Sequence, residues 1–128
     1  MTQRILIIGA GFGGMWSALS AMRLLDRHQR LDIGVTLLAP QAELRVRPRF
    51  YEADLTTTVA PLGPLLDAVG VQFVQGCATR IDAQNRQVFY RSASGEQSTL
   101  AYDRLILASG SQVARPPLAG IDRFAFDV

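Results

Sequence analysis

The residues whose types and spacing could do chemistry are Gly9-Ala10-Gly11-Phe12-Gly13-Gly14, which fit G-x-G-x-x-G. Where such a string leaves a strand and opens a helix, each glycine has a separate task. Gly9 permits the tight turn out of the strand, and Gly11 leaves the backbone open to a pyrophosphate. Gly14 lets the helix pack closely on the sheet. Free amides of the first helical turn, aided by the helix dipole, would complete an anion site together with Gly13. A tight turn without a ligand is the plainer reading, although one glycine suffices for that. A random chain of this length carries about 0.04 such strings, so the elements around it decide.

Those elements have the required order. Residues 4–8 are a continuous apolar run of strand length, the pattern of a strand buried on both faces in a parallel sheet. From Gly13, Met15, Ala18, Leu19, Met22 and Leu25 recur at helical spacing, which predicts a helix to about residue 29. Residues 34–39 form a second strand stopped by Pro40, so strand, helix and strand make a right-handed parallel crossover. Residues 40–60 read as irregular, 62–69 as a short helix and 71–74 as a third strand. Three short segments, 78–82, 87–90 and 98–102, are separated by turn residues and read as an antiparallel meander. Residues 105–108 form a final buried strand closed by Ser109-Gly110. The expected fold is α/β, a Rossmann-type parallel sheet with an inserted three-stranded antiparallel β-meander.

Composition narrows the function. The 128 residues are 48% apolar and 19% charged with a net charge of +2, a globular chain and not a disordered one. All 13 basic residues are arginine, yet they form no dense stripe, so no nucleic-acid partner is expected. The single cysteine, Cys77, excludes an intrachain disulfide and reads as a buried, inert thiol in an apolar strand. No apolar stretch approaches the ~18 residues of a membrane helix, and residues 5–8 are too short for a signal core. The expected location is cytoplasmic. Acidic residues are scattered singly, with neither paired carboxylates nor metal-ligand spacing, so no catalytic side chain and no metal ligand is assigned. His28 reads as exposed, and Trp16 as a core or interface residue.

One element of the dinucleotide fingerprint is missing. An acid should end the second strand and bind a ribose hydroxyl. That register holds Ala39 and then Pro40, which leaves Gln41, Glu43, the backbone or water to hold the ribose. An unreplaced charged hydrogen bond would cost roughly 1.5–3 kcal/mol of binding. Arginines after this strand suit a 2′-phosphate, which supports an alternative: an NADP-binding regulatory module without redox turnover.

A second constellation, Tyr102-Asp103-Arg104-Leu105-Ile106-Leu107-Ala108-Ser109-Gly110, is followed by Pro116, Pro117 and Gly120. With the glycine loop and the meander, it resembles the N-terminal FAD-binding part of the pyridine nucleotide-disulfide oxidoreductase superfamily. The Gly-Phe-Gly-Gly wording around Phe12 is similar to the type II NADH dehydrogenase-like branch. The resemblance covers essentially the whole chain, with Ser109 where threonine is usual. It implies an FAD-dependent oxidoreductase that moves a hydride from NADH or NADPH to flavin and on to an acceptor such as a quinone. Gly9, Gly11, Gly13 and Gly14 would then surround the FAD pyrophosphate, with Phe12 either in contact with the cofactor or simply packed, and Ala39 and Pro40 would stand at the ribose. Ala78, in Gln75-Gly76-Cys77-Ala78, would meet the adenine through its backbone. Ala108, Ser109 and Gly110 would lie by the pyrophosphate and flavin side, and Arg47 and Pro48 by the isoalloxazine ring with Tyr51. Arg45, Arg47 and Arg49 alternate and could present one positive face there, or a solvated one. The superfamily's C-x-x-x-x-C redox pair has no counterpart here, which disfavours disulfide reduction. The resemblance further implies that residues 1–128 are a fragment, inactive by themselves. An NAD(P)H domain and a C-terminal FAD segment would be their partners. It leaves room for a homodimer and for peripheral attachment to the inner face of the membrane through that C-terminal region.

Overall fold

A computed structural model describes residues 2–45, 59–110 and 119–120. The first apolar run forms β1 (Gln3–Ile8), with Leu6, Ile7 and Ile8 buried. Helix α1 (Phe12–Arg27) follows and turns Gly14, Met15 and Ala18 into the core. It stops at His28, and Gln29 takes a left-handed φ of 53° that cannot continue a helix. Strand β2 (Ile33–Ala39) lies parallel to β1, from Gln3 opposite Ile33 to Ile8 opposite Leu38. Before it, Arg30 and Asp32 pair at 2.8 Å, and the Arg30 guanidinium lowers the Asp32 carboxyl to about 2. The pair is solvent-exposed, so screening leaves it little weight in stability.

Residues 40–60, expected to be irregular, contain most of a small second sheet. Strand β3 (Glu43–Arg45) runs antiparallel to β4 (Val59–Pro61), with Leu44 opposite Ala60. Burial of Leu44 against Leu62 anchors this piece, and three residues are too few to show a period in sequence. Helix α2 (Gly63–Val69) carries Pro64 in its first turn and ends on Gly70 at φ 83°, the usual pairing of proline start and glycine stop. Leu66 is its fully buried anchor.

The expected third strand and first meander strand prove to be one, β5 (Gln72–Asp82). Its first residues, Gln72 to Gln75, pair in parallel with Thr36 to Ala39 of β2. From Gly76 onward it pairs antiparallel with β6 (Gln87–Ser92), which in turn pairs with β7 (Gln97–Ala101). A side chain at Gly76 would stand 2.6 Å from the Tyr90 ring and 2.9 Å from the Arg91 carbonyl, so the crossing from one partner to the other needs a glycine. The inserted meander is thus continuous with the edge of the parallel sheet. Strand β8 (Arg104–Leu107) returns to the far side of β1, in parallel, giving a six-stranded sheet of order β7-β6-β5-β2-β1-β8.

Strand alternation divides the core between the two faces. Ile7, Val35 and Leu37 pack with Met15, Ala18 and Leu66 of the helices. Leu6, Ile8 and Leu38 point the other way and meet Val88 of β6. Asp103 locks β8 in register: Arg4 N donates to its carboxylate at 2.7 Å, and Asp103 N donates to the Arg4 carbonyl at 2.9 Å. Replacing Asp103 by Ala should lower stability by about 1.5–3 kcal/mol, the range for a hydrogen bond to a charged group. Urea denaturation would measure it, and an unchanged midpoint would contradict this role. Among the described residues no helix is long and apolar enough to cross a membrane.

Candidate functional site

Because β2 flanks β1 on one side and β8 on the other, successive connections diverge at the carboxyl end of β1. Open α/β sheets bind ligands at such a switch point. Gly9 leaves β1 there with φ +110°, and its N–H donates to the Leu38 carbonyl at 2.9 Å. A Cβ at Gly9 would collide with the Ala108 carbonyl oxygen, and one at Gly14 with the Gly9 carbonyl oxygen. At Gly13 it would stand 3.5 Å from the Ala108 Cβ. The glycine loop and the end of β8 are therefore packed backbone to backbone, and Ala108 N donates to the Ile8 carbonyl at 2.8 Å.

Gly11 is different. It is the N-cap of α1, with φ −76° and ψ −168°, and a Cβ there meets nothing within 4 Å. No side chain caps the helix, and its first turn holds no acidic residue. The amides that a helix start leaves over thus have no side-chain cap, beside the exposed backbone of Gly11, Phe12 and Gly13. This cradle, which a side chain would fill, suits a phosphate.

Beside it lies a cavity of about 520 Å³, within the range of small-molecule sites. Its walls are Ile8 and Gly9, Leu38 and Pro40, the run from Gly76 to Ile81, and Leu107 and Ser109. The Gln75 side-chain amide donates to the Pro40 carbonyl at 3.1 Å and ties the rim of β2 to β5. Of the residues singled out in sequence, Gly9, Pro40, Ala78 and Ser109 share this cavity. Phe12 is 45% exposed at the start of α1, beside Gly11 and Gly13. Ala39 is buried at the end of β2, and Gly110 is exposed with φ 80°. Arg47 and Pro48, like Arg49 and Tyr51, lie outside the described residues. Neither Gln41 nor Glu43 is among the residues of the wall.

Several expectations change. Cys77 is exposed and on the cavity wall, not buried, because β5 is a single strand whose outer half presents it to solvent. Trp16, 59% exposed, is no core residue, since α1 turns Met15 and Ala18 inward instead. Thr79, Arg80 and Ile81 line the cavity although nothing in sequence marks them, and so does Leu107, which is 62% exposed where a buried strand was expected because β8 is the edge strand of the sheet. The first three lie at a bulge in β5, where the pairing with β6 slips between Ala78 and Arg80. Nothing in the local sequence marks that bulge.

Residues 3–128 match the family described as pyridine nucleotide-disulphide oxidoreductase. The chain is 43% identical over 129 residues to an NADH dehydrogenase-like protein of Mycobacterium tuberculosis, covering 98% of this chain and 31% of that protein. It is 32% identical over 124 residues to demethylphylloquinone reductase of a Synechocystis species, covering 92% and 30% of the two. Among solved structures, NDH2 from Plasmodium falciparum in complex with NADH superimposes with a TM-score of 0.78 at 19% identity, over 98% of this chain and 26% of that one. The last likeness is one of fold. The chain spans about a third of the length of the relatives it matches.

Proposed function

Because the chain belongs to the pyridine nucleotide-disulphide oxidoreductase family, we propose that it is the FAD-binding segment of an FAD-dependent NADH oxidoreductase that reduces a quinone. The observation that carries this reading is Gly11 at the uncapped start of α1: neither packing nor its φ of −76° asks for glycine there, whereas a pyrophosphate on the backbone would. Bound FAD would take a hydride from NADH and pass the electrons to the quinone. The chain's own part is to bind and orient. Gly11, Phe12, Gly13 and Gly14 offer amides and a positive helix end to the pyrophosphate, while Gly9 holds the turn that aims them. Ala108, Ser109 and Gly110 would line the same pyrophosphate from β8. Pro40 and Ala78, both on the cavity wall, would meet the adenosine, with Ala39 the residue before Pro40 at the end of β2. The proposal extends to Arg47 and Pro48 beside the isoalloxazine ring.

The full-length protein should purify with flavin absorbance in the visible and oxidise NADH with a quinone acceptor. Absence of both bound and bindable flavin would overturn the reading. Residues 1–128 alone should oxidise no NADH or NADPH.

The lack of an acid at Ala39, together with Arg80 on the cavity wall, favours one second reading, an NADP-binding regulatory module. Separate titrations with FAD and NADPH distinguish the two, since tighter NADPH binding belongs to the second.

A further inference from the structure

We infer that Arg80, in place of a carboxylate, is the side chain that fixes the adenosine end of the dinucleotide. This rests on the dinucleotide reading of the site and adds to it the group that makes recognition possible without the usual acid. The position where a carboxylate would stand is the methyl group of Ala39, 2% exposed, followed by a proline with no N–H. No aspartate or glutamate is among the described residues of the cavity wall, whereas Arg80 is. The wall therefore offers a cation where the fingerprint offers an anion.

The local geometry prepares that cation. Every residue of β5 from Gly76 to Ile81 lines the cavity, and the pairing with β6 slips within that run, between Ala78 and Arg80. Thr79 Oγ1 donates to the Phe89 carbonyl at 3.2 Å, which pins the bulge to β6. The Arg80 guanidinium lies over the Phe89 ring, 5.4 Å from its centroid. The Asp82 carboxylate feels its charge but accepts its hydrogen bonds from Asn85, and among the described residues no hydrogen bond or salt bridge holds the guanidinium. A planar guanidinium held on one face by an aromatic ring keeps its other face and its N–H donors for a ligand. A purine stacked on that free face, with the N–H groups turned to the ribose or phosphate, uses both properties. The ribose hydroxyls then matter little, because no carboxylate waits to be hydrogen-bonded by them.

ADP is the part common to FAD and the nicotinamide dinucleotides, so it serves as the probe. Full-length protein stripped of flavin would be titrated calorimetrically with ADP and with 2′-deoxy-ADP, as wild type, Arg80→Ala and Arg80→Lys. The two nucleotides should bind wild type within about threefold, whereas a site built on a hydroxyl contact rejects the analogue far more strongly. Arg80→Ala should weaken ADP about tenfold, and Arg80→Lys should recover that only in part, since an ammonium does not stack. Failure of ADP to bind wild type, a loss of tenfold or more with 2′-deoxy-ADP, or unchanged ADP affinity in Arg80→Ala would each overturn the inference. Uptake of FAD, measured on the same samples, is a separate readout. Its failure with the ADP results intact would sink the flavin function and leave the role of Arg80 standing.

Discussion

Gly9→Ala lowers the stability of the chain by about 2–6 kcal/mol, the sum of two independent costs. One is conformational: at φ +110° an L residue carries about 1–3 kcal/mol of backbone strain. The other is steric, since the new methyl collides with the Ala108 carbonyl oxygen, and overpacking of that kind costs about 1–3 kcal/mol. Neither can relax cheaply. The Gly9 N–H is held by the Leu38 carbonyl, and the preceding Ile8 carbonyl by Ala108 N, so a shift at Gly9 disturbs both neighbours of β1. Such a loss is a large part of the 5–15 kcal/mol that stabilises an ordinary domain. Gly14→Ala meets only the steric cost, from the Gly9 carbonyl oxygen, and should lose about 1–3 kcal/mol. Urea denaturation of the full-length protein without cofactor would rank the variants. A Gly9→Ala variant as stable as wild type would show that β8 does not close against the loop as described.

These two glycines also explain what could be read from sequence. Strands β1 and β2 and helix α1 were legible because their signals are local: an unbroken apolar run, a 3.6-residue period and a proline stop. The closing strand was legible for the same reason. Contacts between distant segments were not. No local pattern shows that Gly9 and Ala108 touch, and only the resemblance to a known family joined the two motifs. β3 and β4 escaped notice because each is three residues long and gains its stability from Leu44 and Leu62 in the core. β5 reads in sequence as two segments, 71–74 and 78–82, whereas Gly76 between them is the point where one strand exchanges a parallel partner for an antiparallel one.

The site follows the same division. Gly9, Gly11, Gly13 and Gly14 announce themselves by spacing, and the missing acid at Ala39 is plain from register. The wall opposite is a different matter. Cys77, Thr79 and Arg80 line the cavity where β5 has changed partner at Gly76 and slips after Ala78, and both are properties of strand pairing. Asp103 shows the converse. It belongs to a recognisable motif, yet its carboxylate is spent on Arg4 N, so its place in the pattern reflects sheet register and not contact with a ligand.

Gly11→Asp separates folding from function by moving them in opposite directions. Gly11 already has the extended conformation of a helix N-cap, which any residue adopts, and its missing Cβ points into open space. Aspartate is among the preferred N-caps, and its charge lies favourably at the positive end of α1. The cofactor-free protein should therefore gain a few tenths to about 1 kcal/mol of stability. Binding should collapse, because the carboxylate takes the amides meant for a pyrophosphate and stands beside its charge. Two like charges about 4 Å apart repel by about 4 kcal/mol at an effective dielectric of 20, or about 10³-fold in affinity. Melting of the stripped protein and flavin content after reconstitution measure the two effects on one sample. A damaged fold would lower both, so a higher melting temperature with no retained flavin can arise only if the glycine serves the ligand. Retention of FAD at wild-type affinity would instead show that the α1 start is not where the pyrophosphate sits.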